Sequence, residues 1–245
     1  MTSQTSQQEL HAVLLDLLPP QGGWEETEYL WLTDRSNRLV ELSDGIIAVL
    51  PMPTREHQEI VRALFLALFG FLRPRGGDVL FAPLRLRVSG GKFREPDLLA
   101  VLDTRDTRAQ NRYWTGADLV MEVVSPDAPE RDLVEKRREY AEAGIPEYWI
   151  VDPRDRSVTV LALADGHYRE HGRFVPGQGA TSVLLPDFTV ATAAVFGTDR
   201  DEAMQGDERP DERSGGEGRC TESTRRPAAS WWSRISRSRA GRCAR

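Results

Sequence analysis

At 245 residues, with 40% hydrophobic and 8% aromatic residues, the chain can bury one full domain with an appendage, or two small domains. No run of about 18 apolar residues occurs, which excludes a membrane-spanning helix, and the opening MTSQTSQQELH lacks the basic start and apolar centre of a secretory signal. The net charge of −6 is uneven: residues 1–198 hold 21 basic and 29 acidic residues, so a tight non-specific duplex binder is disfavoured while a locally basic groove is not.

Residues 1–23 read as a short helix around Val13 to Leu18, ended by the breaker cluster PPQGG. RLVELSDGIIAVL (38–50) is two apolar runs around Asp44-Gly45, a strong hairpin signal. Residues 54–72 have helical spacing, with Ile60, Leu64, Ala67, Leu68 and Phe71 on one stripe. VLFAPLRLRV (79–88) reads as a half-exposed strand whose later half alternates leucine and valine with arginine. After the turn SGGKF, DLLAVL (97–102) is a continuous apolar strand directly behind Pro96. Residues 103–116 are polar and read as a loop with some helix. ADLVMEVV (117–124) is a strand interrupted by one acid, and a helix follows around 130–143, ending at Gly144. EYWIVD (147–152) and SVTVLAL (157–163) read as strands, and DGHYRE (165–170) continues the meander.

From Gly197 the hydrophobic periodicity disappears. The last stretch carries eight Arg from Arg219 against Glu222 alone, and two Trp, a pattern that suits either nucleic-acid contact or, by composition, an unstructured extension. Both cysteines, Cys220 and Cys243, lie here, and a cysteine-free core is consistent with a reducing cytoplasm. The expected organisation is therefore an N-terminal helix and loop over 1–23, a domain over 24–198, and a polar tail over 199–245. Hairpin, long helix, strands, helix and further strands predict an α/β fold, a mixed sheet flanked by helices with a hairpin and meander extension.

Two acids stand where acids are unusual: Asp97 opens an apolar strand and Glu122 interrupts another. A buried unpaired carboxylate costs several kcal/mol, so each needs a cation or strong donors nearby. If the two strands are neighbours, the carboxylates converge at one end of the sheet and suit a hard divalent cation such as Mg²⁺. Taken singly, Asp97 also suits a turn and Glu122 an internal arginine partner. Of the 32 basic residues only Lys92 and Lys136 are lysines. In so arginine-rich a chain, a retained lysine points to a compact ammonium whose pKa can fall on burial. Lys136, in the helix after the Glu122 strand, can fold back over the acids; Lys92, in a glycine-rich turn, reads as an exposed residue. His11, His57, His167 and His171 show no zinc spacing, and neither a phosphate loop GxxxxGK[ST] nor a GxSxG elbow occurs.

ELSDGIIAVLPMPTREHQEI (41–60), EPDLLAVL (95–102), LVMEVVSPDAPERDLVEKRREYAEAG (119–144) and IPEYWIVDP (145–153) resemble the Uma-two family, a group described as restriction endonucleases, over roughly residues 24–196. That family is similar to the PD-(D/E)XK nucleases. The resemblance implies a restriction-endonuclease-like mixed sheet and an enzyme hydrolysing DNA phosphodiesters with Mg²⁺ or Mn²⁺. Asp97 matches the Asp of the Pro-Asp motif and Glu122 the second acid, together the implied metal ligands. The superfamily's lysine two residues later is Val124 here, and Lys136 matches the family's displaced helical lysine. Glu41 and His57 fall on further recurrent positions, as an extra metal ligand and a substrate contact respectively, or as structural residues. Asp132 and Tyr140 match as helix-packing or supporting residues. A two-fold dimer is the default for a duplex cutter. The alternative is a non-catalytic nucleic-acid-binding or regulatory module that retains the fold.

Overall fold

The computed structural model describes residues 18–197; the expected N-terminal helix and the tail over 199–245 lie outside them. Helix α1 (Glu26–Thr33) leads into the hairpin β1 (Val40–Ser43) and β2 (Ile46–Val49), then the long helix α2 (Arg55–Leu72). Asp44 and Gly45 take φ of 50° and 76°, the two left-handed residues that a tight hairpin turn requires. A Cβ on Gly45 would lie 2.6 Å from the Gly22 carbonyl oxygen, so that close approach also demands glycine. Thr54 caps α2 by accepting the His57 N–H at 3.2 Å, which fixes the helix's first turn.

Six strands form the main sheet in the order β10 (His167–Phe174), β9 (Ser157–Ala164), β8 (Glu147–Asp152), β7 (Leu119–Val123), β6 (Leu98–Val101) and β3 (Asp78–Phe81). All neighbours are antiparallel except β7 and β8, which run parallel across a crossover. That crossover holds a π-helical turn at Arg131–Glu135 and then α3 (Lys136–Glu142). A second sheet has the order β2-β1-β5-β4, with β4 at Leu86–Ser89 and β5 at Lys92–Arg94. The strand expected over 79–88 is thus two strands in different sheets. Pro83, without an N–H, stands between them, and the ladder partners differ: β3 pairs with β6, β4 with β5. No helix forms over 103–116, which stays a loop. A small pair, β11 (Gly179–Thr181) and β12 (Thr189–Ala191), and the helix α4 (Thr192–Phe196) complete the described chain.

The central strands are buried on both faces, as their apolar runs require. One face packs Leu119, Met121, Val123 and Trp149 against Ile60, Leu64, Leu68 and Leu72 of α2. The other packs Val120, Tyr148 and Ile150 against Tyr140 and Ile145 around α3. Trp24, Tyr29, Leu42 and Phe93 form a third cluster under the second sheet. The outer edge of β2 is engaged by Gln21, whose side-chain amide donates to the Ile47 carbonyl at 3.0 Å and accepts the Ile47 N–H at 2.9 Å.

One buried carboxylate ties the far loop to the sheet. Glu147 accepts from Trp149 Nε1 (2.6 Å), Ser182 Oγ (2.7 Å) and the N–H groups of Val183 (2.7 Å) and Leu184 (2.8 Å). Glu147→Ala is therefore expected to cost about 3 kcal/mol or more, since four donors lose their one buried acceptor. A thermal melt should show a drop of roughly 6–12 °C; a shift below about 2 °C would refute the clamp.

Candidate active site

The register of β6 against β7 pairs Leu98 with Met121. Asp97 stands in the bend just ahead of β6, and Glu122 follows Met121 in β7 on the face that carries Val120. Asp97 Oδ2 accepts the Val123 N–H at 2.8 Å and lies 3.2 Å from His57 Nε2. The capped first turn of α2 thus delivers His57 to the Asp97 end of the site. Glu122, inside β7 and only 2% exposed, receives the Tyr140 hydroxyl on Oε1 at 2.6 Å.

Lys136 occupies the centre. Its ammonium is 2.9 Å from Glu122 Oε1, 3.1 Å from Asp132 Oδ1 and 3.4 Å from Glu41 Oε1. Asp132 and Lys136 stand four residues apart and face the same way across the π turn, while Asp132 Oδ2 accepts the Ser125 N–H at 3.2 Å. Burial alone would lower the Lys136 pKa, but Glu122, Glu41 and Asp132 together raise it well above the ordinary lysine range. The expectation of a lysine with a falling pKa is overturned here: three carboxylates outweigh desolvation, and the ammonium stays charged.

Glu41 comes from β1 with both oxygens engaged. Oε1 takes Lys136 and the Glu95 N–H, and Oε2 takes Arg94 at 2.9 Å. Burial works to raise its carboxyl, yet Lys136, Arg94 and Arg131 hold it below the usual range. Arg94 also donates to Glu139 Oε2 of α3 at 2.7 Å, and Lys92 reaches Asp44 (3.0 Å) and Glu139 (3.5 Å). Lys92, read as exposed, is instead a largely covered member of this network, because the glycine turn folds it back towards α3. Arg94 and Glu139 were missed by motif reading. The only signal was the charged run Arg94-Glu95 ahead of Pro96 in an otherwise apolar region. His167 and His171 make separate contacts, to the Asp165 carbonyl and to Thr181 Oγ1.

A hard divalent ion binds through one or two carboxylates and keeps waters or substrate phosphates as its other ligands. Asp97 Oδ1 and Glu122 Oε2 fit that requirement: their partner oxygens take the protein donors, and these two accept none. Among the described residues no three His, Cys, Asp or Glu side chains gather as a closed metal cage. The donor set suits an open, water-retaining ion, not a structural one.

The family model Uma2, described as a putative restriction endonuclease, matches residues 24–194. The chain belongs to the Uma2 family. A crystal structure from Anabaena variabilis ATCC 29413, described as a putative nuclease belonging to DUF820, shares the fold. It matches with a TM-score of 0.56 at 18% identity over 69% of this chain and 97% of that one. No curated protein matches. The restriction-endonuclease-like mixed sheet expected from the motifs is thus the fold of this Uma2 member.

Titration should report the crowding of acids. Burial, with Asp97 and Asp132 adding to it against Lys136, pushes Glu122 up to about 8; burial with Glu41 pushes Glu95 up to about 7. His57 is raised too, the Asp97 hydrogen bond and charge overcoming its burial. Between the unfolded carboxyl values and these raised ones the native state holds protons that the unfolded state has released. In EDTA, stability should therefore fall as pH rises from about 5 towards 8, and Glu122→Gln should flatten that slope. Thermal melts across the interval measure it; a slope of opposite sign would contradict the raised values.

Proposed function

We propose that this Uma2 protein is a metal-dependent endonuclease hydrolysing DNA phosphodiesters, with Asp97 and Glu122 holding Mg²⁺ or Mn²⁺ and Lys136 as the catalytic cation. The observation that carries the reading is Asp97, held at the start of β6 by the N–H of Val123, next along β7 from Glu122, with Glu122 itself against the buried, charged Lys136 ammonium. Asp97 and Glu122 would hold the cation, which would withdraw charge from a phosphoryl oxygen and acidify water. Lys136, fixed by Glu41 and Asp132, meets the negative charge that develops on the phosphoryl group without having to reorganise. Being charged, it orients water and stabilises the transition state; it does not accept the proton. Tyr140 engages Glu122 Oε1 and leaves Oε2 without a protein donor, while His57 and the Val123 N–H do the same for Asp97. No described helix is long and apolar enough to cross a membrane. A cytoplasmic setting and a two-fold dimer on duplex DNA complete the proposal.

Incubation with plasmid, linear duplex and single-stranded DNA, each with Mg²⁺, Mn²⁺ or EDTA, tests the activity. Lys136→Ala should lower turnover by about 10² or more, the scale of one preorganised electrostatic contact. Lys136→Arg should rescue poorly, since the larger planar group does not fit among three carboxylates. Asp97→Asn should lose metal affinity as well as rate. Wild-type protein that cleaves no substrate with any cation would leave the binding-module reading in its place.

A further inference from the structure

Three buried side-chain nitrogens of the described residues lack any hydrogen-bond partner: His57 Nδ1, Arg87 Nε and Arg131 Nε. A buried N–H without an acceptor is uncommon and calls for a reason. Arg87 at least pairs with Glu26 at 2.9 Å through a terminal nitrogen. Arg131 is different. It opens the π-helical turn that delivers Lys136, and its neighbour Asp132 touches that ammonium at 3.1 Å. Among the described residues no carboxylate lies within 4.0 Å of its guanidinium, whereas Lys92, Arg94 and Lys136 are each bound by two or more acids. Nε is shut from solvent; the terminal nitrogens, also without an acceptor among the described residues, are not. Its charge nevertheless reaches the site, since it helps hold down the Glu41 carboxyl.

We propose that Arg131 binds a backbone phosphate of the nucleic acid beside the Asp97–Glu122 pair. The inference rests on the nuclease reading above and names the contact that lets a polyanion approach an acid-rich site. Glu41, Asp132 and Glu139 are all occupied by other cations, so no carboxylate of the site competes for this guanidinium. Its planar fork matches phosphate geometry, and its two terminal nitrogens have no acceptor among the described residues. A phosphate seated there supplies the acceptor that Nε lacks after a small rotation of the side chain. The π-helical turn supplies the placement, inserting one extra residue ahead of Lys136 and so turning Arg131 away from the ion cluster that Asp132 joins.

The test uses the full chain and Arg131→Ala and Arg131→Lys variants, each assayed for cleavage of a duplex oligonucleotide in Mg²⁺ across a series of salt concentrations. Anisotropy of the labelled duplex in Ca²⁺ gives binding directly. Arg131→Ala should raise KM and Kd by about tenfold with kcat little changed, the pattern of a contact made equally to substrate and transition state. The log–log salt slope should shrink by about one unit, as for a single lost phosphate contact. Arg131→Lys should keep the salt slope and recover part of the affinity. An unchanged KM and salt slope, or a fall in melting temperature of many degrees with unchanged affinity, would overturn the Arg131 assignment and leave the nuclease reading standing. Wild-type protein that neither binds nor cleaves nucleic acid would overturn both.

Discussion

The buried ammonium of Lys136 organises this structure. It draws Glu41 from the second sheet, Glu122 from the main sheet and Asp132 from the crossover to a single point, all with side chains no more than 3% exposed. Withdrawing four ionisable groups from water is expensive, and their attraction offsets that only with good geometry and further donors. Those donors are present: Tyr140 on Glu122, Arg94 and the Glu95 N–H on Glu41, the Ser125 N–H on Asp132. A well-packed apolar replacement of the whole set would be at least as stable by the usual bookkeeping. What the ions provide is register: the second sheet, β7 and α3 can satisfy them together in one arrangement only.

The same cluster sets the chemistry. Three carboxylates keep Lys136 charged, so its part is electrostatic. Burial, with Asp97, Asp132 and Glu41 adding to it, keeps Glu122 ready to take a proton or a cation. Arg94 extends the cluster to Glu139, one turn along α3 from Lys136, which holds the helix at two points. Placement of the ammonium is therefore a property of both sheets.

Local chemistry made much of this legible. Asp44-Gly45 announced the hairpin, the apolar stripe announced α2, and EYWIVD announced β8 to the residue. Glu122 was visible because an acid inside an apolar strand is conspicuous, and Lys136 because lysine is rare in this chain. The misreadings came where long-range pairing decides. VLFAPLRLRV looks like one strand until β6 and β5 claim its halves. β5 is three residues long, too short for any period, yet it carries Arg94 and begins with Lys92. α1 has no clear apolar stripe, and its hold on the fold is Tyr29 under β1, with its hydroxyl donating to the Val40 carbonyl at 2.7 Å. None of these partnerships lies within a sequence window that a local pattern samples.

The Gln21 amide on the rim of the second sheet has an effect beyond its two hydrogen bonds. β2 is apolar, with Ile46 and Val49 half exposed, and such a rim is a template for adding strands from other copies of the chain. A primary amide presents one donor and one acceptor with the spacing of a peptide group, so Gln21 occupies the central position of that template as a dummy strand one residue long. It ends the sheet sideways without adding a charge or a proline to β2. The hairpin can thus stay greasy enough to cover its own core while its open side is closed to recruitment.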